Sequence, residues 1–594
     1  MQPKEKKEVG AIVRHDGVSF RVWAPFADSV CLTGSFNEWT ETPLASEDDG
    51  YWYGFVDNAK AGQEYKFVIR RGEQVLHRND PRALAVTTLA GNSVIVDPAF
   101  DWGDDHPVAI PPEQQVIYEL HVGTFNRPDP ATPGTFATAM EKLDYLKELG
   151  ITTIELMPIG NMYMQREWWG YTPEYIYAVE NLYGGRHQLL EFIKAAHARG
   201  LAVMLDVVYN HFADDANLDL WQYDGWSEHN MGGVYFYNDE RGVTPWGKTR
   251  PDYGRPEVRQ FLLDNVRLWL WDCHFDGLRV DSTIYIRTTS GINDDPAHEL
   301  EDGWLFLQRL NGLARKLNPN ALIVAEDIAC NEYLSKPVAD GGAGFAGQWE
   351  VDFPDMLRHT LHTNEPSAIP LAGLIGSLGK RYNDDAFQRV VYADSHDSAA
   401  NGSARFNDVV AGSKKVPATG VFARRQSCIA AAIVLSAPGI PMLFMGQEFL
   451  EDGSFSDWEC LDWAKTAKHA GILEAYRHLI ALRRNLHGHT AGLSGQHYNL
   501  TQLDEDNKVI AYHRWHEGGP KDDVMVIVNL GNRHFDSYVL GFPRDGSWQV
   551  RFNSTWDGYS KDFANVLVPE VQVMTGEGVV VVPPSSVLIL SQDA

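Results

Sequence analysis

The sequence has no run of about 18 unbroken apolar residues, the length a membrane-spanning helix requires, so no transmembrane helix is expected. The polar segment up to Val13 carries Lys4, Lys6 and Lys7 but no apolar core with a small-residue cleavage site, which predicts a cytoplasmic protein. Cysteine is scarce: Cys31, Cys273, Cys330, Cys428 and Cys460 are odd in number, scattered and free of CxxC spacing. That pattern argues against a disulfide framework and a zinc knuckle, and it predicts buried small residues. Basic residues are also outnumbered, 51 against 80 acids, and the formal charge of -29 repels nucleic acid and anionic membranes while leaving a neutral substrate indifferent. There is no HExxH motif and no GxxxxGK[ST] loop. Gly342-Ala-Gly344-Phe-Ala-Gly347 satisfies GxGxxG but precedes a strand, and His487-Gly-His489 sits in a turn-like link. Neither a metal nor any other cofactor is expected.

Aromatic residues, in contrast, are plentiful. The 18 Trp and 24 Tyr suit sugar rings, whose apolar faces stack on flat aromatic faces, although a large core uses the same residues. At 594 residues the chain exceeds what one core organises, and three domains are expected.

Residues 1–108 read as short strands with period-2 alternation, among them Val18–Trp23, Ser29–Leu32, Tyr51–Phe55 and Tyr65–Arg70, which predict a small antiparallel sandwich. Within it, Ser35-Phe-Asn-Glu-Trp39 sets two aromatics beside a turn. Residues 109–488 alternate strands with amphipathic stretches. The strands are Val116–Leu120, Thr153–Met157, Ala202–Val208, Gly277–Val280, Leu322–Ala325, Gln348–Phe353, Val390–Ala393 and Met442–Met445. The helical stretches include Phe136–Leu149, Leu189–Arg199, Glu257–Trp271 and Leu305–Leu317. Eight such units predict the α/β class and a closed (β/α)₈ TIM barrel. A loop of about residues 212–255, dense in aromatics from Trp221 to Trp246, leaves the third strand and is expected to wall the cleft. Residues 489–594 return to alternating strands, Lys508–Trp515, Val524–Asn529, Trp548–Phe552, Val579–Val582 and Val587–Leu590, and predict a C-terminal β-sandwich.

Three barrel strands end in a carboxylate within a distinctive polar string: Phe275-Asp-Gly-Leu-Arg279-Val-Asp281, Ile323-Val-Ala-Glu326-Asp327 and Val391-Tyr-Ala-Asp394-Ser-His396-Asp397. A barrel gathers successive strand ends around one mouth, so these acids share a site although they lie far apart in sequence. Breaking a glycosidic bond with retention needs one carboxylate to attack the anomeric carbon and one carboxyl to shuttle the proton, and Asp281 and Glu326 are the candidates. Arg279 projects to the same side as Asp281 and supplies the fixed positive charge an ionised nucleophile needs. Neighbouring acids should raise the pKa of Glu326. Leu205-Asp206-Val-Val-Tyr-Asn210-His211 adds His211, which with His396 can bond sugar hydroxyls, and Trp169-Gly-Tyr171 adds a ring to stack beneath the sugar. A strand ending in Asp, or a buried histidine, is commonplace by itself; the consistent placement at successive strand ends is what singles these residues out. Asp327 is read as structural.

The order LDVVYNH, DGLRVDS, AEDI, DSHDS resembles the four conserved regions of glycoside hydrolase family 13, the α-amylase superfamily. FRVWAPFADSVCLTGSFNEW looks like a family 48 carbohydrate-binding module, and the C-terminal strands look like the family's β-sandwich. The resemblance implies that Asp281 forms the covalent glycosyl intermediate, that Glu326 is acid and then base, and that Asp397 grips and strains the ring. It further implies substrate-binding roles for Tyr171, Asp206, His211, Arg279, His396 and Trp169, and an α-glucan (glycogen, starch or maltooligosaccharide) as partner. In some relatives the position of Asn210 lies at a calcium site, which is not expected here. Trp168-Trp-Gly-Tyr171, Met442-Leu-Phe-Met-Gly-Gln-Glu448 and Leu461-Asp-Trp463 are similar to 1,4-α-glucan branching enzymes, whereas Ser398 and Asp327 depart from their usual Glu. Val116-Ile-Tyr-Glu-Leu-His-Val-Gly-Thr-Phe125 and Gly347-Gln-Trp349 also resemble maltooligosyltrehalose trehalohydrolases. Branching is ranked first, ahead of trehalohydrolase or plain α-amylase chemistry, with a non-catalytic glucan-binding protein as the remote alternative.

Overall fold

The computed structural model describes residues 8–87, 91–162, 169–213, 218–362, 369–412 and 415–593. Trp168 of the branching-enzyme-like string lies outside the described residues. Among them, no helix is long and apolar enough to cross a membrane.

Period-2 alternation builds the N-terminal unit. Val18, Phe20 and Val22 point inward from the strand Gly17–Trp23, and Phe67 and Ile69 meet them from Glu64–Arg71. These strands belong to two antiparallel sheets stacked on one core, as the alternation predicts.

Eight parallel strands then close into a barrel: Ile117–Leu120, Thr153–Leu156, Ala202–Val207, Gly277–Val280, Leu322–Ala325, Gly347–Trp349, Arg389–Tyr392 and Ile440–Phe444. The first pairs with the eighth, so no edge remains. Their short apolar runs are buried on both sides, against the barrel interior and against the surrounding helices. The sixth strand, Gly347–Trp349, is shorter than the stretch Gln348–Phe353 expected from the sequence. Asp352 and Asp355 place negative charge in the first turn of the helix Asp352–His362, so the chain turns helical there. The stretch Phe136–Leu149 divides into Phe136–Met140 and Leu143–Leu149, and Pro256–Arg267 runs on into a π-helical turn, Leu268–Asp272.

The aromatic loop after the third strand is built around a core of its own. Tyr223, Tyr235, Phe236 and Tyr237 are buried and pack on one another and on Phe212, forming a small core of their own. Trp246 alone of the large aromatics named there is well exposed, at 45%. The N-terminal unit grips this loop: Arg78 donates to the carbonyls of Trp221, Gln222 and Tyr223, Arg71 to that of Gly225, and Phe26 stacks on Trp226 at 4.4 Å.

The C-terminal unit is an eight-stranded antiparallel assembly around Trp548, Ile527, Leu588 and their neighbours. Three of its strands, His497–Asp504, Phe535–Gly541 and Val571–Met574, escape the alternation reading because they show polar or exposed positions on most of one face. The five cysteines are unpaired; Cys31, Cys273 and Cys428 are buried, but Cys330 is only partly so and Cys460 is exposed, against the expectation for those two.

Candidate active site

The barrel register sets the site. Asp206 on the third strand lies opposite Arg279 on the fourth, and Val280 lies opposite Ala325 on the fifth. The ladder runs one residue further: the Asp281 N–H donates to the Val207 carbonyl and the Glu326 N–H to that of Val280, each at 3.0 Å. Asp281 and Glu326 therefore stand side by side at the carboxyl rim.

Arg279 is the centre of the cluster. Its Nη1 donates to Asp206 Oδ2 at 2.6 Å and to Asp281 Oδ1 at 2.9 Å, while Nη2 lies 3.4 Å from Glu326 Oε2. The guanidinium has no solvent exposure, and Trp349 on the sixth strand covers it with its ring centre 4.4 Å from Cζ. One buried cation thus faces three carboxyl groups, an excess of acid that resolves by holding protons. Burial, followed by the charges of Asp281 and Asp397, raises the pKa of Glu326, although Arg279 opposes the shift. Burial pushes Asp206 up to about 6 against the pull of Arg279. Glu326 Oε2 also accepts the Ser282 N–H at 2.6 Å, which fixes the orientation of the carboxyl.

Asp397 stands apart from this buried group, with its side chain 50% exposed at the cleft. Its Oδ2 lies 3.4 Å from His396 Nε2, and its Oδ1 accepts from Asn401 at 3.1 Å. Tyr171 lays its ring on the His396 imidazole at 4.9 Å and donates its hydroxyl to Asp206 at 2.5 Å, so one ring face is occupied by protein. Trp169 meets His396 edge-on at 5.8 Å and Phe455 at 5.3 Å. His211 joins through Asn210, whose amide oxygen accepts from its Nδ1–H, and Trp246 stacks on the imidazole at 4.7 Å. Burial lowers the pKa of His211 to about 4, and its Nε2 has no protein partner. The structure brings all nine residues singled out in the sequence into this one cluster.

Four further residues belong to the cluster and were not singled out for this site. Asn210 Nδ2 donates to Asp281 Oδ2 at 2.6 Å, Glu119 on the first strand bonds His396, Trp349 covers Arg279, and Trp246 stacks on His211. Inward parity on an apolar strand, the signal that exposed Arg279, also marks Glu119. Asp327 is taken up by Arg287 at 2.9 and 3.0 Å and by Thr283 at 3.0 Å, a buried ion pair. Ser398 is likewise engaged, its hydroxyl accepting the Ser395 N–H at 2.8 Å and its carbonyl accepting from Arg358 at 2.7 Å. Cys330, Glu350 and Asp352 are close enough for a metal among the described residues, but Glu350 already meets Lys380 at 2.6 Å and Tyr382 at 2.8 Å.

Three family models match the chain in order: carbohydrate-binding module 48 (isoamylase N-terminal domain) over residues 8–83, the α-amylase catalytic domain over 119–245, and the α-amylase C-terminal all-β domain over 500–593. A malto-oligosyltrehalose trehalohydrolase from Saccharolobus solfataricus is 32% identical over 470 residues, 74% of this chain and 75% of that protein. The 1,4-α-glucan branching enzyme GlgB of Corynebacterium jeikeium is 30% identical over 579 residues, 92% of this chain and 77% of that protein. In structure, a pullulanase from Anoxybacillus sp. LM18-11 complexed with maltotetraose superposes with a TM-score of 0.76 at 21% identity, covering 99% of this chain and 88% of that one. The motifs, the barrel and these relatives agree: the chain belongs to glycoside hydrolase family 13, the α-amylase family of glycosidases and transglycosylases.

Proposed function

We propose that this chain is a retaining 1,4-α-glucan branching enzyme, which cleaves an α-1,4 linkage and re-attaches the freed chain as an α-1,6 branch. The observation that carries the retaining chemistry is the single Arg279 guanidinium reaching both Asp281 and Glu326, which suits the close spacing, about 5–5.5 Å, of a retaining pair. Asp281 attacks the anomeric carbon while Glu326 gives its proton to the departing glucan oxygen. Glu326, now a base, takes the proton from an acceptor hydroxyl as that oxygen displaces Asp281. Asp397, exposed at the cleft, bonds ring hydroxyls. Asp206, His211, His396, Tyr171 and Trp169 line the bound sugar, and the partnerless Nε2 of His211, with the ring proton on Nδ1, is an acceptor that a sugar hydroxyl satisfies.

The domains are proposed as 1–108, 109–488 and 489–594, with the family matches falling inside them. A cytoplasmic location is supported by five unpaired cysteines. Branching is favoured because relatives of that name align with more than nine-tenths of the chain. A second reading, trehalohydrolase, has its own support in the 32% identical relative. The two differ in whether a glucan hydroxyl or water reaches the same intermediate. Incubation with amylose, following α-1,6 linkages and reducing ends together, tests the choice: new branches without a matching rise in reducing ends support transfer. Reducing ends rising alone indicate an α-amylase-type hydrolase, and trehalose released from maltooligosyltrehalose indicates the second reading. An Asp281→Asn variant indistinguishable from wild type in all of these assays would instead leave a non-catalytic glucan-binding protein.

A further inference from the structure

His396 is held from behind by Glu119. The acid sits on the first barrel strand and is 1% exposed; its Oε1 lies 2.5 Å from His396 Nδ1, and its Oε2 accepts the His396 N–H at 3.1 Å. The opposite ring nitrogen, Nε2, faces Asp397 at 3.4 Å. The remaining neighbours supply no competing acceptor at Nδ1 of comparable length: the Tyr171 hydroxyl is 3.5 Å away, and Trp169 and Trp349 present ring atoms. Glu155, directly opposite Glu119 in the strand register, is buried without a hydrogen-bond partner. Burial and then the charge of Glu119 keep its pKa well above the carboxylate range, so this acid stays neutral.

We propose that Glu119 is a positioning residue that holds His396 as an imidazolium with a donor at each ring nitrogen, Nδ1–H to Glu119 and Nε2–H to the cleft. The charges facing the imidazole agree with this arrangement. Burial disfavours the cation, but Asp397 and Glu119 outweigh both burial and the opposing Arg279, and lift His396 to about 9. A neutral imidazole carries one proton only, and with that proton on Nδ1 the Nε2 facing the sugar is an acceptor. With Glu119 in place, the donor toward the substrate persists through neutral pH.

The inference rests on the reading of this cluster as an active site, but its test does not depend on turnover alone. In the full chain labelled with ¹⁵N-histidine, the His396 signals are those lost in His396→Gln. The Glu119→Gln variant keeps the shape and removes the charge. In it, His396 is expected to titrate at least about one pH unit lower, and kcat/KM relative to wild type is expected to be near unity at about pH 6 and at least about twofold down at about pH 8. A His396 titration that does not move, or a loss of equal size at both pH values, overturns the proposal. Wild-type activity in Asp281→Asn would overturn the active-site reading instead, and leaves the histidine titration as an independent measure of Glu119.

Discussion

Asn210 holds Asp281 at two points, with its Nδ2 2.6 Å from the carboxylate Oδ2 and 2.9 Å from the backbone oxygen. Together with Arg279 on Oδ1, this leaves neither carboxylate oxygen free to rotate. A hydrogen bond to a charged group contributes about 1.5–3 kcal/mol, so Asn210→Ala is expected to lower kcat/KM about 10- to 100-fold. Asn210→Asp, which sets a second negative charge against the nucleophile, is expected to do worse. Steady-state kinetics on amylose check both.

Arg279 is the cation against which Asp206, Asp281 and Glu326 are packed. Arg279→Met leaves those carboxyls buried without it, and breaking a buried pair in this way costs about 3–5 kcal/mol. The variant is expected to unfold earlier in denaturant and to lose activity. Arg279→Lys keeps the charge but cannot reach two acids with a planar fork, and should recover stability more than rate. Denaturant melts run beside activity assays separate the two effects.

His211 gives a stability signature on the acid side. Its folded-state pKa is lowered to about 4 by burial, below the ordinary value of about 6.5. Between these values the unfolded chain binds a proton that the folded chain refuses, so stability falls as pH drops through that window. The full effect is of order 3 kcal/mol, and it should be missing from the pH dependence of a His211→Gln variant. Comparing denaturant midpoints of the two proteins at about pH 7 and about pH 5 measures the difference.

Arg78 of the N-terminal unit donates to three successive carbonyls of the cleft-side loop, those of Trp221, Gln222 and Tyr223. Removing it unties the loop that carries Trp246, without touching the acids. Arg78→Ala is expected to raise KM for long glucans while kcat stays within about twofold; an equal fall in kcat at unchanged KM contradicts a role in shaping the cleft.

Much of this site was legible because barrel strands bring inward-facing residues to one rim. Arg279 and Asp281 share parity on one strand, and the strings ending at Glu326 and Asp397 recur at other strand ends, so sequence alone could gather them. Asn210 was visible but had no assigned partner, since nothing in a linear string shows that its amide turns toward a strand some seventy residues away. Glu119 followed the same parity rule as Arg279, yet a lone acid in an apolar strand carries no chemistry until its partner is seen. Position after the third strand was enough to set the aromatic loop beside the site, where Trp246 stacks on His211, but which of its rings would turn inward was not legible: Tyr235, Phe236 and Tyr223 make a core for the loop itself. In the C-terminal unit, strands with polar faces escaped notice because alternation is read from apolar residues.

The double displacement through Asp281 is tested most directly by trapping its intermediate. Glu326→Gln, which forms the covalent adduct from an activated α-maltosyl fluoride but lacks the base to release it, can be digested and mapped by mass spectrometry. The account predicts a maltosyl adduct on the peptide that contains Asp281, absent when Asp281 is also replaced by Asn. An adduct on another residue, or turnover of the fluoride to the β-anomer with no adduct at all, would contradict it.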